Sequence, residues 1–171
     1  MPLRYLLDQN FPIHVAALSW PPSLLVERLS SVDADLTRAT EDWEVILELQ
    51  HRGADGFVTN DEKIVKSARE MVALSHTTLT LVVASGVGDD ALKATGLVMV
   101  HLGDIAADSA IRPMTYVLRP AGKSAANPGK RITDIAVGRK ADRAALVRDE
   151  RNFIIEQLQL TRPHLLSLFV R

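Results

Sequence analysis

Leu3-Arg4-Tyr5-Leu6-Leu7-Asp8 and Gly56-Phe57-Val58-Thr59-Asn60-Asp61 decide how this chain folds. Each is a short run, apolar at most positions and bounded by polar residues, that ends in an aspartate. Runs of this kind read as buried strands. In an open α/β sheet the functional crevice lies outside the carboxyl ends of the strands. Asp8 and Asp61 are therefore expected at the rim where ligands bind. Carboxylates gathered there repel one another unless a cation lies between them, which makes a divalent metal the first chemistry to consider.

Working outward, the order reads as alternating strands and helices. Strands are expected at Leu3 to Leu7, Val32 to Leu36, Gly56 to Thr59, Thr78 to Ala84 and Met114 to Leu118. Asn10 and Pro12 read as the opening of a helix, and Ser23 as the cap of another running through Leu29. Glu41 to Arg52 reads as a helix closed by Gly53. Asp61 is expected to cap a helix to about Ala73, and Asp89 to start one through Leu102. Ala121 to Gly138, rich in Gly, Ala, Asn and Lys, reads as a loop before a last helix from Ala141 to Gln159. The expectation is an α/β fold of three layers: a mainly parallel sheet of about five strands and a C-terminal helical extension. Residues 1–120 would form the main domain, and 121–171 a basic loop and helix packed on it.

The 171 residues are 47% hydrophobic, which suits one compact domain. With no cysteine, disulfides, thiolate metal sites and cysteine nucleophiles are excluded. That composition fits a reducing cytoplasm. No basic stretch followed by an apolar one suggests a signal peptide, and no apolar stretch is long enough to span a bilayer. The net charge of −1 hides an asymmetry. From Glu27 to Glu62 there are ten Asp or Glu against three Arg, and from Arg112 to Arg148 nine Lys or Arg against two Asp. This distribution suits a protein that holds a cation in one place and a polyanion in another, and it equally suits ordinary solvated faces.

The helix Glu41 to Arg52 adds a third acid. Val45, Ile46 and Leu49 form its apolar stripe, and Asp42 shares their face. Glu41, Glu44, Glu48 and Arg52 share another face, read as solvent-exposed. An inward carboxylate needs a partner, and a metal shared with Asp8 and Asp61 would supply one. On spacing alone Asp42 is equally a first-turn acid favoured by the helix dipole, and Asp61 an ordinary N-cap. Asp8 has no helix of its own to cap. The five histidines show no paired ligand spacing and read as surface or filler. Gly86-Val87-Gly88 lacks the third glycine and the lysine of a phosphate loop.

Leu6-Leu7-Asp8-Gln9-Asn10-Phe11-Pro12, Asp42 with its apolar helix, and Val58-Thr59-Asn60-Asp61 together resemble PIN-like domains of the DUF5615 and VapC45-like group, over roughly residues 3 to 105. The resemblance implies a PIN-like fold and a ribonuclease dependent on Mg²⁺ or Mn²⁺, with Asp8, Asp42 and Asp61 as both catalytic and metal-holding residues. It also implies the toxin half of a type II toxin–antitoxin pair, with RNA as substrate, a cognate antitoxin as partner, and a homodimer. Two positions depart from the group's pattern. Gln9 stands where an acid is usual, and Lys63 stands where a second acid often follows the Thr-Asn-Asp aspartate. The site then holds three acids, or recruits a later one such as Asp89 or Asp90.

Lys123, Lys130, Arg131, Arg139 and Lys140 form the strongest basic cluster, read either as a track for a nucleic-acid backbone or as a solvated linker. Two other functions stay open. The lysine at position 63 motivates a catalytically inactive PIN-like scaffold that binds partners. A receiver-like phosphoacceptor module would use Asp61, Ser85 and Lys123 as acceptor, hydroxyl and lysine.

Overall fold

The computed structural model describes residues 1–32, 36, 41–88, 90–108 and 111–170. Its strands are β1 (Leu3–Leu7), β2 (Leu24–Arg28), β3 (Gly56–Thr59), β4 (Thr80–Ala84), β5 (Met114–Arg119) and β6 (Gly122–Ala126). Its helices are α1 (Leu29–Val32), α2 (Asp42–His51), α3 (Ala68–Ser75), α4 (Ala91–Ala107), α5 (Pro128–Arg139) and α6 (Arg143–Thr161), with short 3-10 turns at Ile13–Val15, Ile64–Lys66 and Pro163–Phe169. The strands form one sheet in the order β2-β1-β3-β4-β5-β6. All pairings are parallel except β5 with β6.

This is the expected three-layer α/β architecture. One face of the sheet presents Leu6, Phe57, Leu81 and Val83 to α2, α3, α5 and α6. The other presents Tyr5, Leu7, Val58, Val82 and Tyr116 to α4 and to Phe11 and Val15. With helices on both sides, β3 and β4 are buried at every position. Double burial explains why they read as continuous runs instead of alternating patterns. β1 and β3 pack closely: a Cβ on Gly56 would collide with the Tyr5 ring and come within 2.9 Å of the Thr80 carbonyl. Gly53 takes φ +69 at the end of α2, and Ala54 N–H reaches back to Leu49 O at 3.0 Å, so the helix closes where glycine permits it.

Several expectations are corrected. Ser23 caps no helix, because Leu24–Arg28 is strand β2 alongside β1. Its burial alternates as an edge strand's does, with Leu24 and Val26 inside and Leu25 44% exposed. The strand expected at Val32 to Leu36 is not formed at its ends: Val32 closes α1 and Leu36 lies in a 3-10 turn, while residues 33–35 fall outside the described residues. The helix after Pro12 is only a 3-10 turn. The helix expected from Asp61 begins at Ala68, after the turn Ile64–Lys66. Ala121 to Gly138 is not a loop. It supplies β6, and then α5, capped by Asn127, whose side chain accepts the Lys130 N–H at 2.8 Å, with Pro128 at the first helical position. The sheet therefore has six strands instead of about five. Segment 121–170 completes the core, with Ile132, Ile154, Leu158, Leu165 and Phe169 in the same apolar cluster as α2 and α3.

That completion changes α2. Trp43, Val45, Ile46, Leu47, Glu48 and Leu49 are all buried, so the helix is enclosed on nearly every side. Of the face expected in solvent, Glu41 and Arg52 are exposed and Glu44 is half-buried, but Glu48 is covered by the C-terminal segment. Glu48 is only 3% exposed and takes Arg162 Nη1 at 2.6 Å and His164 Nε2 at 3.0 Å on one carboxylate oxygen. Arg162 also lies 3.8 Å from Glu44. No described helix is long and apolar enough to cross a membrane.

Candidate functional site

β1 connects to β2 on one side, and the chain then returns past β1 to β3 on the other, so the topological switch falls between β1 and β3. Asp8 and Asp61 follow the carboxyl ends of those two strands, where a doubly wound sheet opens a crevice. An open cleft of about 480 Å³ lies there, lined by Asn10, Asn60, Asp61 and Lys63.

Local hydrogen bonds hold both aspartates. Asp8 N–H donates to Val58 O at 2.8 Å, extending the β1–β3 ladder by one residue. Asp8 Oδ1 accepts from Gln9 N at 2.6 Å, and Oδ2 from Thr59 Oγ1 at 2.9 Å and Asn10 Nδ2 at 3.2 Å. Thr59 Oγ1 in turn accepts the Asp61 N–H at 3.1 Å, so one hydroxyl ties the two acidic positions together. Asp61 Oδ1 accepts the Lys63 N–H at 2.8 Å, a turn of the kind aspartate favours, and its other oxygen is not used in that bond.

Asp42 opens α2 as its first residue and is half-buried. Its carboxyl is pushed above the usual range, first by burial and then by the negative charges of Asp61, Asp8 and Glu41. The three acids picked out in the sequence thus share one electrostatic neighbourhood.

A fourth acid was not legible. Glu70, on α3, is pushed up to about 7, chiefly by burial, with the charges of Asp42 and Glu150 adding and Arg69 opposing. Its Oε2 is buried without a hydrogen-bond partner. Of the later acids expected from the sequence, Asp89 lies outside the described residues, and Asp90 caps α4, with its carboxylate on the Lys93 N–H at 3.0 Å and the Lys93 ammonium at 3.0 Å. Lys63, two residues after Asp61, lines the cleft.

The donor set is all oxygen, which suits Mg²⁺ or Mn²⁺. Among the described residues no group of three His, Asp or Glu side chains is close enough to hold an ion directly.

Glu62, next to Asp61, braces the turn that follows β4. Its Oε1 accepts the Gly86 N–H at 2.6 Å, and that bond is the main reason its carboxyl lies below the usual range, with Ser85 also contributing. Gly86-Val87-Gly88 thus ends β4 as a braced turn.

The basic cluster separates on folding. Lys123 lies on β6 opposite Leu118, while Lys130, Arg131 and Arg139 ride on α5. Lys130 is engaged by Asp134 at 3.0 Å. Arg131 and Arg139 instead line a groove of about 330 Å³ with Lys66, a residue that spacing did not connect to them. Three of the histidines have ring neighbours: His51 and His164 rings lie 5.1 Å apart, and the His76 ring lies 4.2 Å from that of Phe169.

Compared with protein-family models, curated proteins and solved structures, the chain matches none. The site's own geometry and chemistry therefore carry the functional reading.

Proposed function

We propose that this protein is a Mg²⁺- or Mn²⁺-dependent endoribonuclease that hydrolyses RNA phosphodiester bonds, and that it is the toxin of a type II toxin–antitoxin pair. The observation that carries the reading is the electrostatic coupling of Asp42 to Asp61 and Asp8 beside the β1–β3 switch point. Structural ion pairs also shift carboxyl groups, but here like charges are brought together at the rim of a ligand crevice.

Asp8, Asp42 and Asp61 would hold the ion, with Glu70 the nearest further carboxylate to Asp42 in charge terms. When bound, the ion neutralises charge on the scissile phosphate and lowers the pKa of a water. The chain's part is orientation. Thr59 and Asn10 fix the Asp8 carboxylate, Asn60 and Lys63 line the cleft with donors for phosphate oxygens, and Glu62 braces the Gly86 turn. The toxin role, the antitoxin partner and a homodimer follow from the resemblance to the PIN-like group, and a cytoplasmic location is the one that the cysteine-free composition fits.

The test is cleavage of a fluorescent single-stranded RNA under Mn²⁺ titration, by wild type and by Asp8→Asn. Wild type is expected to cut only with metal, and Asp8→Asn to lose the activity. Expression of the chain alone should slow growth, and Asp8→Ala should relieve it. Metal-dependent thermal stabilisation without cleavage or toxicity would replace this reading with the partner-binding scaffold.

The receiver-like reading gains one observation, since the order of the first five strands is that of the flavodoxin-like sheet that receivers use. Against it, Ser85 is buried and engaged by Glu62, and Lys123 sits on the antiparallel edge pair. Phosphorylation of Asp61 by acetyl phosphate would decide for it.

A further inference from the structure

Arg28 closes β2 and stands in register with Leu7, the residue before Asp8. Side chains alternate along a strand, so Arg28 shares the face of Leu7, opposite the one that Asp8 takes. Its guanidinium reaches the end of β1, where Nη2 donates to Gln9 O at 3.2 Å. The cleft begins at the next residue, Asn10.

That carbonyl is the one acceptor Arg28 has among the described residues, although arginine is a fork of N–H donors. Its Nε is buried without a partner. Among the described residues no carboxylate pairs with it. Glu27, its neighbour in the chain, is taken by Arg4 at 2.6 Å. The Asp8 oxygens accept from Gln9 N–H, Thr59 and Asn10 instead. Half-burying a cation without a counter-charge costs stability, so one kept in this way at the rim of a cleft is suited to an anion from outside. The planar fork matches a phosphate, to which it can give two parallel bonds.

The strand order says which phosphate. Across the sheet edge β2, β1 and β3 follow one another, so the rim runs from Arg28 to Asp8 to Asp61, with Lys63 beyond. Two carboxylates thus stand between two cations. The ends of β2 and β3 are two strand spacings apart, roughly 10 Å. One phosphate does not touch both, but a backbone laid across the rim does. We propose that Arg28 anchors the phosphate adjoining the scissile one on the β2 side, so that RNA crosses the carboxyl ends of β2, β1 and β3 in turn. This rests on the ribonuclease reading above. The strand then meets Lys63 on the β3 side, and Lys66 follows it in the next 3-10 turn.

Steady-state cleavage of a single-stranded RNA in excess Mn²⁺ tests this, with Arg28→Gln and Arg28→Lys beside wild type. A flanking contact is shared by ground and transition states, so its loss raises KM and spares kcat. Arg28→Gln should raise KM about tenfold. Arg28→Lys keeps the charge without the fork and should recover part of the loss. Added salt should narrow the gap between wild type and Arg28→Gln. The rise in melting temperature with Mn²⁺ should be the same for each. An unchanged KM overturns the proposal. So does a fall in kcat together with the Mn²⁺ response, which would mean that Arg28 only holds the turn at Gln9. A wild type that binds RNA without cutting it refutes the ribonuclease reading alone. Affinity then judges Arg28, and equal affinity in Arg28→Gln overturns the anchor too. A wild type that neither binds nor cuts RNA removes both.

Discussion

The Thr59 hydroxyl donates to Asp8 Oδ2 across 2.9 Å, linking the last residue of β3 to the acid that follows β1. Thr59 is 2% exposed, so its hydroxyl has no access to bulk water and its bonds to Asp8 and from the Asp61 N–H are its alternatives to being orphaned. Folding of the sheet core and orientation of the site are the same event here.

Thr59→Val keeps the shape and β-branching that suit a strand but removes that link. The loss of a hydrogen bond to a charged group is worth about 1.5–3 kcal/mol, and the Asp61 N–H is left without its acceptor. Stability measured by urea unfolding should fall by about that amount. Mn²⁺ should also raise the melting temperature of Thr59→Val less than that of wild type, since Asp8 is no longer held. An equal rise in both would show that the hydroxyl serves the core alone.

Glu70 makes the metal-free protein sensitive to pH. Its folded pKa is about 7, against 4.5 for the ordinary carboxyl. Between these values the folded state binds more protons than the unfolded one, so stability falls as pH rises through this window. The full penalty above pH 7 is on the order of 3 kcal/mol before water penetration reduces it. Glu70→Gln keeps the size and removes the charge. In EDTA it should melt above wild type at pH 8 and close to it near pH 4.5. Coincident melting curves across that range would mean that Glu70 is relieved by solvent.

The C-terminal segment is latched by Glu48. Burial works against its charge, yet the bonds from Arg162 and His164 outweigh that, and its carboxyl is held below the usual range. A depressed pKa contributes stability above the unfolded value, and that contribution is lost as pH falls through the folded one. Glu48→Ala and Arg162→Ala should each destabilise by about 1.5–3 kcal/mol, and the double variant by clearly less than the sum. Additive losses in denaturant unfolding would show that the two side chains act independently.

Strands β1, β3, β4 and β5 were legible because they are mostly buried and apolar at most positions, β3 and β4 being buried throughout. The edge strand β2 was not: Leu24, Leu25 and Val26 after Ser23 satisfy a helical pattern as well as an alternating one, and only pairing with β1 decides. β6 and α5 were obscured by composition, although Asn127-Pro128 carried a usable helix-start signal. Asp8, Asp42 and Asp61 were legible because position at a strand end or on a helix face is local information. Glu70 was silent because its significance comes entirely from what folds around it. Glu48 misled for the same reason, since the Arg162 and His164 that cover it lie more than a hundred residues away.

Lys66, Arg131 and Arg139 line one groove, and Lys66 belongs to the 3-10 turn that follows Asp61 and Lys63. Clustered carboxylates repel a phosphate backbone, so cations elsewhere on the same surface aid capture of the strand. Arg131 also donates to Thr115 Oγ1 at 3.1 Å, so its removal would disturb the core as well as any ligand. Lys66→Ala/Arg139→Ala is the cleaner change. Made in an Asp8→Asn background, which isolates binding from cleavage, it should weaken single-stranded RNA binding for every sequence tried. Each lost phosphate contact should also flatten the slope of log affinity against log salt by about 0.7. Mn²⁺ binding to the double variant with Asp8 intact should be unchanged, because neither side chain is a metal ligand. An unaltered salt slope would remove the groove from the RNA path and leave the acidic cleft to bind its substrate unaided.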